Sequence, residues 1–488
     1  MVGMSIRLRT CMAALAGALS LLLVGCGSFQ VNPPLARYDP SSGYRFEKLE
    51  QGSNSDKLFV ILVFSGGGTR AAALSYGVLE ALRDTQIQWE NQRISLLEEV
   101  DVISSISGGS FPAAYYALYG LRIFDEFPNR FLYRPIQSEL IDATLTPAGL
   151  LKLGGASFGR SDLAAEFYDR EVFGTGTYAE VIARGRRPFV ILNATDMTTG
   201  TQFPFTQDQF DLLCSDLSGI SLGRAADASS AYPGGLTPLT FQNYAGKCGY
   251  HQPEWVNLAA LDHKSRINIR RAARAENRLS YTDTGHNPRK YIHLTDGGVA
   301  DNIGLREPLT AINSLNNSWS VLRLINQKKV DKLVVIVVNA GTNPTTSRDQ
   351  TPEVPGLVDT LTAAAVVPLG NYSFDTLELL RQTVNEFNES MRLVSGCKEL
   401  AANKGPQCEL DIPVPHQIEF FPIEVAFEYI EAADERNWFK NLPTTLELPR
   451  ETVDKLRVVG QQILNEDPEF KRLMEALHGC VALAGQRC

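Results

Sequence analysis

Short apolar runs alternate with amphipathic stretches along most of the chain. Four runs are continuous and rich in β-branched residues, which is typical of strands buried on both faces of a sheet. They span residues 57–64, 102–106, 189–192 and 333–338. After the first run, Leu74, Val78 and Leu82 recur at four-residue spacing, which predicts a helix. Because buried strands alternate with helices, the pattern predicts an α/β fold in which a mainly parallel sheet is sandwiched by helices in three layers.

The pattern continues more loosely after residue 341. Residues 418–429 resemble a further strand that Pro422 interrupts. A set of apolar residues at helical spacing marks an amphipathic helix near the C-terminus; its members are Val453, Leu456, Val459 and Ile463. We therefore expect residues 342–488 to form an extension packed on an α/β domain of residues 57–341.

Two further apolar stretches lie outside the strand pattern, at residues 145–158 and 357–369. The first contains several glycines and the second an alanine-rich run. We expect both to be buried core helices. The alternative is the wall of an apolar channel or a membrane-facing cap.

Residues 1–25 predict an export signal. Arg7 and Arg9 precede an apolar stretch, residues 12–24, that is too short to cross a bilayer comfortably. The stretch ends in Leu23-Val24-Gly25-Cys26, which resembles the lipobox of bacterial lipoproteins, whose cysteine becomes the lipidated first residue of the mature chain. The alternative is an ordinary cleavage site followed by an incidental cysteine.

The lipobox resemblance implies a location. Cys26 would carry the lipid, and the polar residues 26–56 would form a tether between the anchor and the folded body. Gly27 follows Cys26 in place of the Asp that retains Gram-negative lipoproteins at the inner membrane. We therefore expect a lipid-anchored protein of the bacterial cell envelope, at the outer membrane.

Composition and charge narrow the classes of function. Of the 488 residues, 44% are hydrophobic and 21% are charged, which predicts a globular protein rather than a disordered or multispanning one. The 46 Lys and Arg against 55 Asp and Glu give a net charge of -9, and no run of basic residues occurs. We therefore expect no nucleic-acid partner.

Export also changes the interpretation of the cysteines. With Cys11 and Cys26 set aside, an even number remains in an oxidising compartment, which favours disulfides. The six are Cys214, Cys248, Cys397, Cys408, Cys480 and Cys488. Closeness in sequence favours Cys397 with Cys408 and Cys480 with Cys488, which leaves Cys214 for Cys248. A zinc site is the alternative, but no Cys-x-x-Cys or clustered Cys/His spacing supports it, and we expect no metal.

A glycine-rich turn follows the first predicted strand. In Ser65-Gly66-Gly67-Gly68-Thr69-Arg70-Ala71, backbone N–H groups can converge on an anion at a helix N-terminus. The Gly-Lys-Ser/Thr of a P-loop is absent, and so is the acid of a dinucleotide fingerprint. A plain strand-to-helix turn is the alternative.

A second strand-to-helix turn holds a candidate nucleophile. Residues 102–111 read Val-Ile-Ser-Ser-Ile-Ser-Gly-Gly-Ser-Phe, with small residues two before and two after Ser107, as a nucleophile elbow requires. Ser107 would project from its strand with the Gly108 N–H beside it. Ser110 is a poorer candidate because Pro112 follows two residues later. A serine-rich turn without chemistry is the alternative.

An aspartate before paired glycines completes the set of motifs. In Leu294-Thr295-Asp296-Gly297-Gly298 the acid stands at a strand end, where it is often a turn residue or helix cap. In order, however, the glycine-rich loop, serine elbow and Asp-Gly-Gly resemble the patatin-like phospholipase family, which hydrolyses acyl esters with a Ser-Asp dyad. Residues 188–200 and 228–233 also look like segments of bacterial members. The resemblance covers residues 57–341.

This resemblance implies a serine hydrolase that cleaves phospholipids or lysophospholipids without a cofactor. Asp296 would accept the proton of Ser107. The N–H groups that would hold the oxyanion belong to Gly66, Gly67, Gly68 and Gly108. A carboxylate with an ordinary pKa of about 3.9 is a feeble base, so the dyad requires a buried Asp296. Arg70 is expected to support the loop by hydrogen-bonding its carbonyls; a surface salt bridge is the alternative.

Two positions depart from the family pattern. Ser105 stands where the first glycine of the elbow belongs, and Ala71 replaces the last glycine of the loop. Both substitutes are small, so we expect the geometry to survive. His293 is the alternative base, although we expect it to be a hydrogen-bonded strand-end residue.

Two rival functions remain. One is a catalytically inactive, membrane-tethered interaction protein of the same fold. The other is a nucleotide-binding regulator, which would need a basic phosphate clamp of which only Arg70 is present.

Overall fold

The computed structural model describes residues 28–265, 269–285, 288–343 and 418–481, with the side chains of residues 262–265 and 480–481 left out, and some positions between 344 and 417, including 376–383. The strands are β1 Leu58–Phe64, β2 Thr85–Trp89, β3 Gln92–Ser95, β4 Val100–Ile106, β5 Phe189–Asp196, β6 Gln202–Pro204, β7 Leu239–Gln242, β8 Tyr291–Thr295, β9 Lys332–Asn339, β10 Glu419–Ala426 and β11 Cys480–Val481. The α-helices with described bounds are α1 Gly68–Asp84, α2 Ser110–Tyr119, α3 Ile123–Phe127, α4 Ile136–Leu145, α5 Pro147–Leu153, α6 Arg160–Glu171, α7 Tyr178–Arg184, α8 Gln207–Phe210, α9 Leu222–Ser230, α10 Glu254–Ser265, α11 Ile269–Thr282, α12 Gly298–Asp301, α13 Arg306–Asn313, α14 Val321–Asn326, α15 Ala433–Lys440, α16 Arg450–Glu466 and α17 Pro468–Ala476.

Eight strands form the main sheet, in the order β10-β9-β1-β4-β5-β8-β7, with β6 paired to β5. The pairs among β10, β9, β1, β4 and β5 are parallel, whereas β6, β7 and β8 pair in the antiparallel sense. Every residue of β1, β4 and β5 is buried, as their continuous apolar runs predict. The predicted α/β fold with a mainly parallel sheet is confirmed.

The strand order also determines where the helices lie. After β1 the chain adds β4 and β5 on one side, and it later adds β9 and β10 on the other. Because crossovers between parallel strands are right-handed, this reversal puts connecting helices on both faces of the sheet. It also creates a crevice at the carboxyl ends of the strands next to β1, where open α/β sheets bind their ligands.

The C-terminal part of the chain completes the main sheet. β10 extends it at the β9 edge, and Pro422 is tolerated there because an edge strand needs no hydrogen bond on its outer side. α16 packs on α1, where a Cβ at Gly77 would overlap the backbone of Arg457. The predicted amphipathic helix is confirmed, since Val453, Leu456, Val459 and Ile463 are buried.

The lead-in to β1 differs from the predicted free tether. Asn32 is buried, and its Nδ2 donates to Ser215 Oγ at 2.8 Å. Tyr44 is also buried, with its hydroxyl oxygen 2.8 Å from the backbone nitrogen of Val190, which donates to it. Polar side chains therefore bind the segment to the body from residue 32 onward, a contact that the polar composition of the segment did not indicate.

The stretch at 145–158 is not a buried core helix, because Leu145, Leu150 and Leu151 are exposed. The corresponding prediction for residues 357–369 lies outside the described residues.

No helix in the described part of the chain is long and apolar enough to cross a membrane. Residues 1–27, with the predicted signal and Cys26, also lie outside the description.

A disulfide joins Cys214 to Cys248, as predicted. The carbonyl oxygen of Cys214 accepts a hydrogen bond from Leu35 N at 2.7 Å, and that of Cys248 accepts one from Tyr38 N at 2.8 Å. The disulfide thus holds two segments that bind the N-terminal lead-in. The other two predicted disulfides fall on residues outside the description. Cys397, Cys408 and Cys488 are not among the described residues, and of Cys480 only the backbone is described.

Candidate active site

The turn after β4 presents Ser107 at the carboxyl edge of the sheet. Ser107 has a φ of +49°, in the left-handed region that costs energy for any residue with a Cβ. A single 3₁₀ turn, Ser107–Gly109, leads from it directly into α2. Ser107 is half-buried while its neighbours Ile106 and Gly108 are buried, so its hydroxyl is the group that the turn directs outward.

Asp296 faces Ser107 from the end of β8. The Ser107 hydroxyl donates to Asp296 Oδ2 at 2.8 Å, although 189 positions separate the two residues. The other carboxylate oxygen, Oδ1, accepts from Gly298 N at 2.7 Å. Burial raises the pKa of Asp296 to about 6. The two hydrogen bonds lower this pKa, but burial has the larger effect.

The glycine-rich loop lies against the serine turn. A Cβ on Gly108 would overlap the backbone of Gly68, so the two turns can approach this closely only without a side chain there. Gly67 and Gly68 have positive φ values of 140° and 60°, and Gly68 begins α1. The N–H groups of Gly67, Gly68 and Gly108 therefore lie at the N-terminal ends of α1 and α2, where helices leave N–H groups without intrahelical partners.

Gly66 has a different role from the one predicted. Its N–H donates to the carbonyl oxygen of Asn302 at 2.9 Å, which ties the loop to the segment after Asp296. Ala71, the departure at the end of the loop, is buried within α1.

Arg70 is buried in α1, and it contacts other carbonyls than those of the glycine-rich loop. Its Nε donates to Ala340 O at 3.0 Å, and one terminal nitrogen donates to Leu442 O and Pro443 O, both at 2.8 Å. Burial lowers its pKa to about 10. The following segment then reaches the loop, because Thr445 O accepts from Thr69 N at 2.8 Å. Arg70 thus supports the loop through the C-terminal segment.

A row of buried hydroxyls lies behind Ser107. Ser110 Oγ donates to Ser105 Oγ at 3.1 Å and lies 2.8 Å from Ser229 Oγ. Ser105 Oγ in turn donates to the carbonyl oxygen of Ile191 at 3.3 Å. The serine that replaces the first glycine of the elbow is therefore fully accommodated, because its hydroxyl has partners on both sides.

The segment at the end of α9 binds both loops of the site. Ser229 Oγ accepts from Ser107 N at 2.9 Å, and Ser229 O accepts from Gly297 N at 2.9 Å. Two residues on, Ala231 O accepts from Asp296 N at 3.1 Å. Sequence reasoning singled out residues 228–233 only as a point of family resemblance and assigned them no role. The structure shows that they fix the backbone on both sides of the Ser107–Asp296 hydrogen bond.

His293 does not take part in this arrangement. It is exposed on β8, with its Nδ1 3.1 Å from Thr240 Oγ1. The expected hydrogen bond of this histidine is confirmed, although His293 lies in the middle of β8 and not at its end. In the described residues, no group of three or more His, Cys, Asp or Glu side chains is placed to hold a metal ion.

Comparison with known proteins identifies a family whose sequence model matches this chain. The model of the patatin-like phospholipase family matches residues 62–309, which contain Ser107, Asp296 and the glycine-rich loop. The search of curated proteins finds no match.

Two solved structures are similar at low identity. Human GIVD cytosolic phospholipase A2 is 12% identical with a TM-score of 0.42, and the alignment covers 87% of this chain and 62% of that one. VipD from Legionella pneumophila is 13% identical with a TM-score of 0.30, covering 94% of this chain and 73% of that one. The chain thus spans about three fifths of the length of the human protein, and at these TM-scores neither similarity identifies an activity.

Proposed function

The chain belongs to the patatin-like phospholipase family, and from this membership we propose that it hydrolyses the acyl esters of phospholipids or lysophospholipids through Ser107 and Asp296. The observation that carries the proposal is the 2.8 Å hydrogen bond from Ser107 Oγ to Asp296 Oδ2. A nucleophile and its base must lie within such a distance for the proton to pass between them as the new bond forms.

The pKa of Asp296 supports its role as the base. A carboxylate with a pKa of about 6 is ionised at neutral pH and yet holds a proton far better than an exposed aspartate does. Ser107 Oγ would attack the ester carbonyl carbon while Asp296 Oδ2 takes the hydroxyl proton. When the tetrahedral intermediate collapses, the bond to the leaving alcohol breaks and Asp296 returns the proton to that alcohol. Water then cleaves the acyl-enzyme by the same two steps.

The oxyanion would be held by the N–H groups of Gly67, Gly68 and Gly108. They lie beside Ser107 at the starts of α1 and α2, where the helix dipoles favour negative charge. The N–H of Gly66 is left out of this set because it is bonded to Asn302 O.

A panel of esters tests the proposed activity. The purified protein should hydrolyse phospholipids, lysophospholipids or p-nitrophenyl esters, with activity that survives a chelator because the two-residue mechanism needs no metal. Ser107→Ala should abolish turnover, whereas Ser218→Ala, a serine in a turn away from the site, should not. Equal inertness of wild type and Ser107→Ala toward every ester would instead favour the inactive interaction protein.

We propose further that Cys26 is lipidated and anchors the protein in the bacterial envelope, at the outer membrane. The lipobox-like Leu23-Val24-Gly25-Cys26 supports this proposal. In a Gram-negative host fed labelled palmitate, wild type and Cys11→Ser should incorporate the label and fractionate with the outer membrane. Cys26→Ser should incorporate none; continued labelling of that variant would contradict the anchor.

A further inference from the structure

Helices α4 and α5 expose an unusual number of apolar side chains. The exposed fractions are 53% for Ile141, 63% for Leu145, 56% for Leu150 and 40% for Leu151. These four residues are named the apolar knob. They are not the core side of α4, because Ile136 and Leu140 occupy that side and are buried. α4 therefore has two apolar faces, and the second has no partner within the described chain.

A one-residue connection between α4 and α5 keeps the apolar knob exposed. Only Thr146 separates α4 from α5, and its Oγ1 donates to Ala143 O at 2.8 Å and accepts from Gly149 N at 3.0 Å. Pro147 then occupies the first turn of α5, where its fixed φ suits a helix start. The cap and the proline fix the angle between the helices, so the exposed side chains cannot easily fold back.

Charges are few on this surface and form no basic cluster. Asp142 is exposed next to Ile141, and Lys152 has its Nζ 2.6 Å from Glu166 Oε2. An apolar surface with so few charges fits the boundary between headgroups and acyl chains in a bilayer better than it fits a charged macromolecule.

The described chain begins near the C-terminal end of α5, the helix that carries Leu150 and Leu151. Ser28 forms a parallel bridge with Ser157, which lies four residues beyond the end of α5. Cys26 is two residues before Ser28, a span of at most about 7 Å of extended chain. A lipid on Cys26 would therefore enter its membrane next to α5.

The same helices are connected to the glycine-rich loop. Gln137 Oε1, in the first turn of α4, accepts from Thr445 Oγ1 at 2.8 Å and from Leu446 N at 3.2 Å. Thr445 O is the acceptor for Thr69 N at the start of α1. The start of α4 is thus connected, through one segment, to the loop at the carboxyl edge that presents Ser107.

We propose that the apolar knob docks into the surface of the phospholipid bilayer that holds the lipid of Cys26 and so turns the carboxyl edge of the sheet toward its substrate. The docking rests on the geometry above and on the proposed lipidation of Cys26, and its effect on turnover rests on the proposed hydrolysis. The surface has no basic cluster that would favour anionic lipids, so we expect docking to zwitterionic vesicles, with little dependence on salt.

Bromolipid quenching tests the docking directly. Full-length lipidated protein carrying Leu150→Trp is reconstituted in phosphatidylcholine vesicles with brominated acyl chains. Its control is Leu315→Trp, at a leucine of similar exposure in the connection toward the amino end of β9. Beyond the signal of the native tryptophans, position 150 should be quenched about twofold more than position 315. Equal quenching at the two positions would overturn the proposal, whether or not the protein is an esterase.

Turnover provides a second test with separable outcomes. The variant Ile141→Ser/Leu145→Ser/Leu150→Ser should lose about tenfold in hydrolysis of vesicle phospholipid and keep its turnover of a soluble ester. A matched variant, Leu258→Ser/Leu261→Ser/Leu315→Ser, removes three other exposed leucines and should change neither rate. Equal vesicle rates in the two variants would contradict the role of the apolar knob. Absence of soluble-ester turnover in wild type would contradict the proposed function alone.

Discussion

Asp196 and Asp296 are two buried aspartates at the same edge of the main sheet, and they have very different partners. Asp196 ends β5, and both its oxygens lie 2.7 Å from a terminal nitrogen of Arg289. The Tyr281 hydroxyl donates to it at 2.7 Å and Thr198 N at 2.9 Å. Asp296 receives only the Ser107 hydroxyl and one backbone N–H, and within the described chain no cation pairs with it.

The difference separates a structural acid from the acid that we propose as the base. The lone pairs of Asp196 are occupied by a cation, a phenol and an amide, so this carboxylate holds α11 and the chain before β8 in place. Asp296 is buried with few donors, and burial raises its pKa to about 6. Its single side-chain partner is the hydroxyl of the proposed nucleophile. A carboxylate left without a cation in a dry site is the one that can exchange a proton with its neighbour.

The largest effect is expected from Asp296→Asn. Removing the proton acceptor while keeping the shape should lower kcat/KM for a soluble ester by about a thousandfold or more, close to the loss in Ser107→Ala. Asp196→Asn should instead cost stability, about 3 kcal/mol, because it leaves Arg289 without its buried partner. Ester turnover and urea unfolding of both variants measure the contrast.

His293→Gln is the control for a histidine base. Because His293 is exposed and bonded to Thr240, this change should leave turnover nearly unchanged. Near-normal turnover in Asp296→Asn together with loss in His293→Gln would refute the assignment of Asp296.

The pH dependence should show the ionisation of Asp296. Below a pH of about 6 the carboxyl is protonated and cannot take the proton of Ser107, so kcat/KM should fall about tenfold per pH unit there and level off at higher pH. Asp196→Asn should retain the same midpoint. A profile that is flat between pH 4 and 7 in wild type would argue against a carboxylate base.

A smaller loss is expected from Ser229→Ala. Ser107 N would lose its side-chain acceptor, and its left-handed backbone would be less firmly held, so kcat should fall about tenfold with little change in KM. Ser230→Ala is a matched control, since among the described residues Ser230 Oγ bonds within α9 alone, to Ala226 O at 2.9 Å and Asp227 O at 3.5 Å. Equal kcat in the two variants would show that the Ser229 hydroxyl has no positioning role.

The smallest effect is a gain in stability in Asp296→Asn. Because folding raises the pKa of Asp296 from 3.8 to about 6, its contribution to stability is fully present below pH 3.8 and is lost as pH rises through 6. A neutral asparagine avoids this loss, so the variant should be more stable than wild type at pH 7.5, by about 1–3 kcal/mol. The gain should vanish at pH 4, as urea unfolding at the two pH values would show.

Local patterns were sufficient for much of this molecule. The strands β1, β4, β5 and β9 could be predicted because a strand buried on both faces is rich in apolar, β-branched residues and lacks the alternation of a half-exposed strand. Ser107 could be selected because a sharp turn at a strand end needs small neighbours, which are visible within about five residues. Asp296 could be selected only because its Asp-Gly-Gly motif, in order with the other two motifs, resembles the patatin-like phospholipase family. The pairing of Cys214 with Cys248, 34 positions apart, was predicted by elimination after the two pairs that are close in sequence. The predicted strands and turns depend on residues that are close in sequence.

The tertiary structure decided the rest, because the deciding contacts join distant residues. Asp196 and Asp296 both follow a predicted strand, and only the position of Arg289, 93 residues from Asp196, makes one of them structural. Ser229 reaches Ser107 across 122 positions, and Arg70 reaches Leu442 across 372. The sequence likewise did not indicate that Leu145 and Leu150 are exposed, since an apolar helix has the same sequence pattern inside a core and on an exposed surface. Which groups surround a side chain is a property of the packed chain, and that environment determines whether an acid binds a cation or takes a proton.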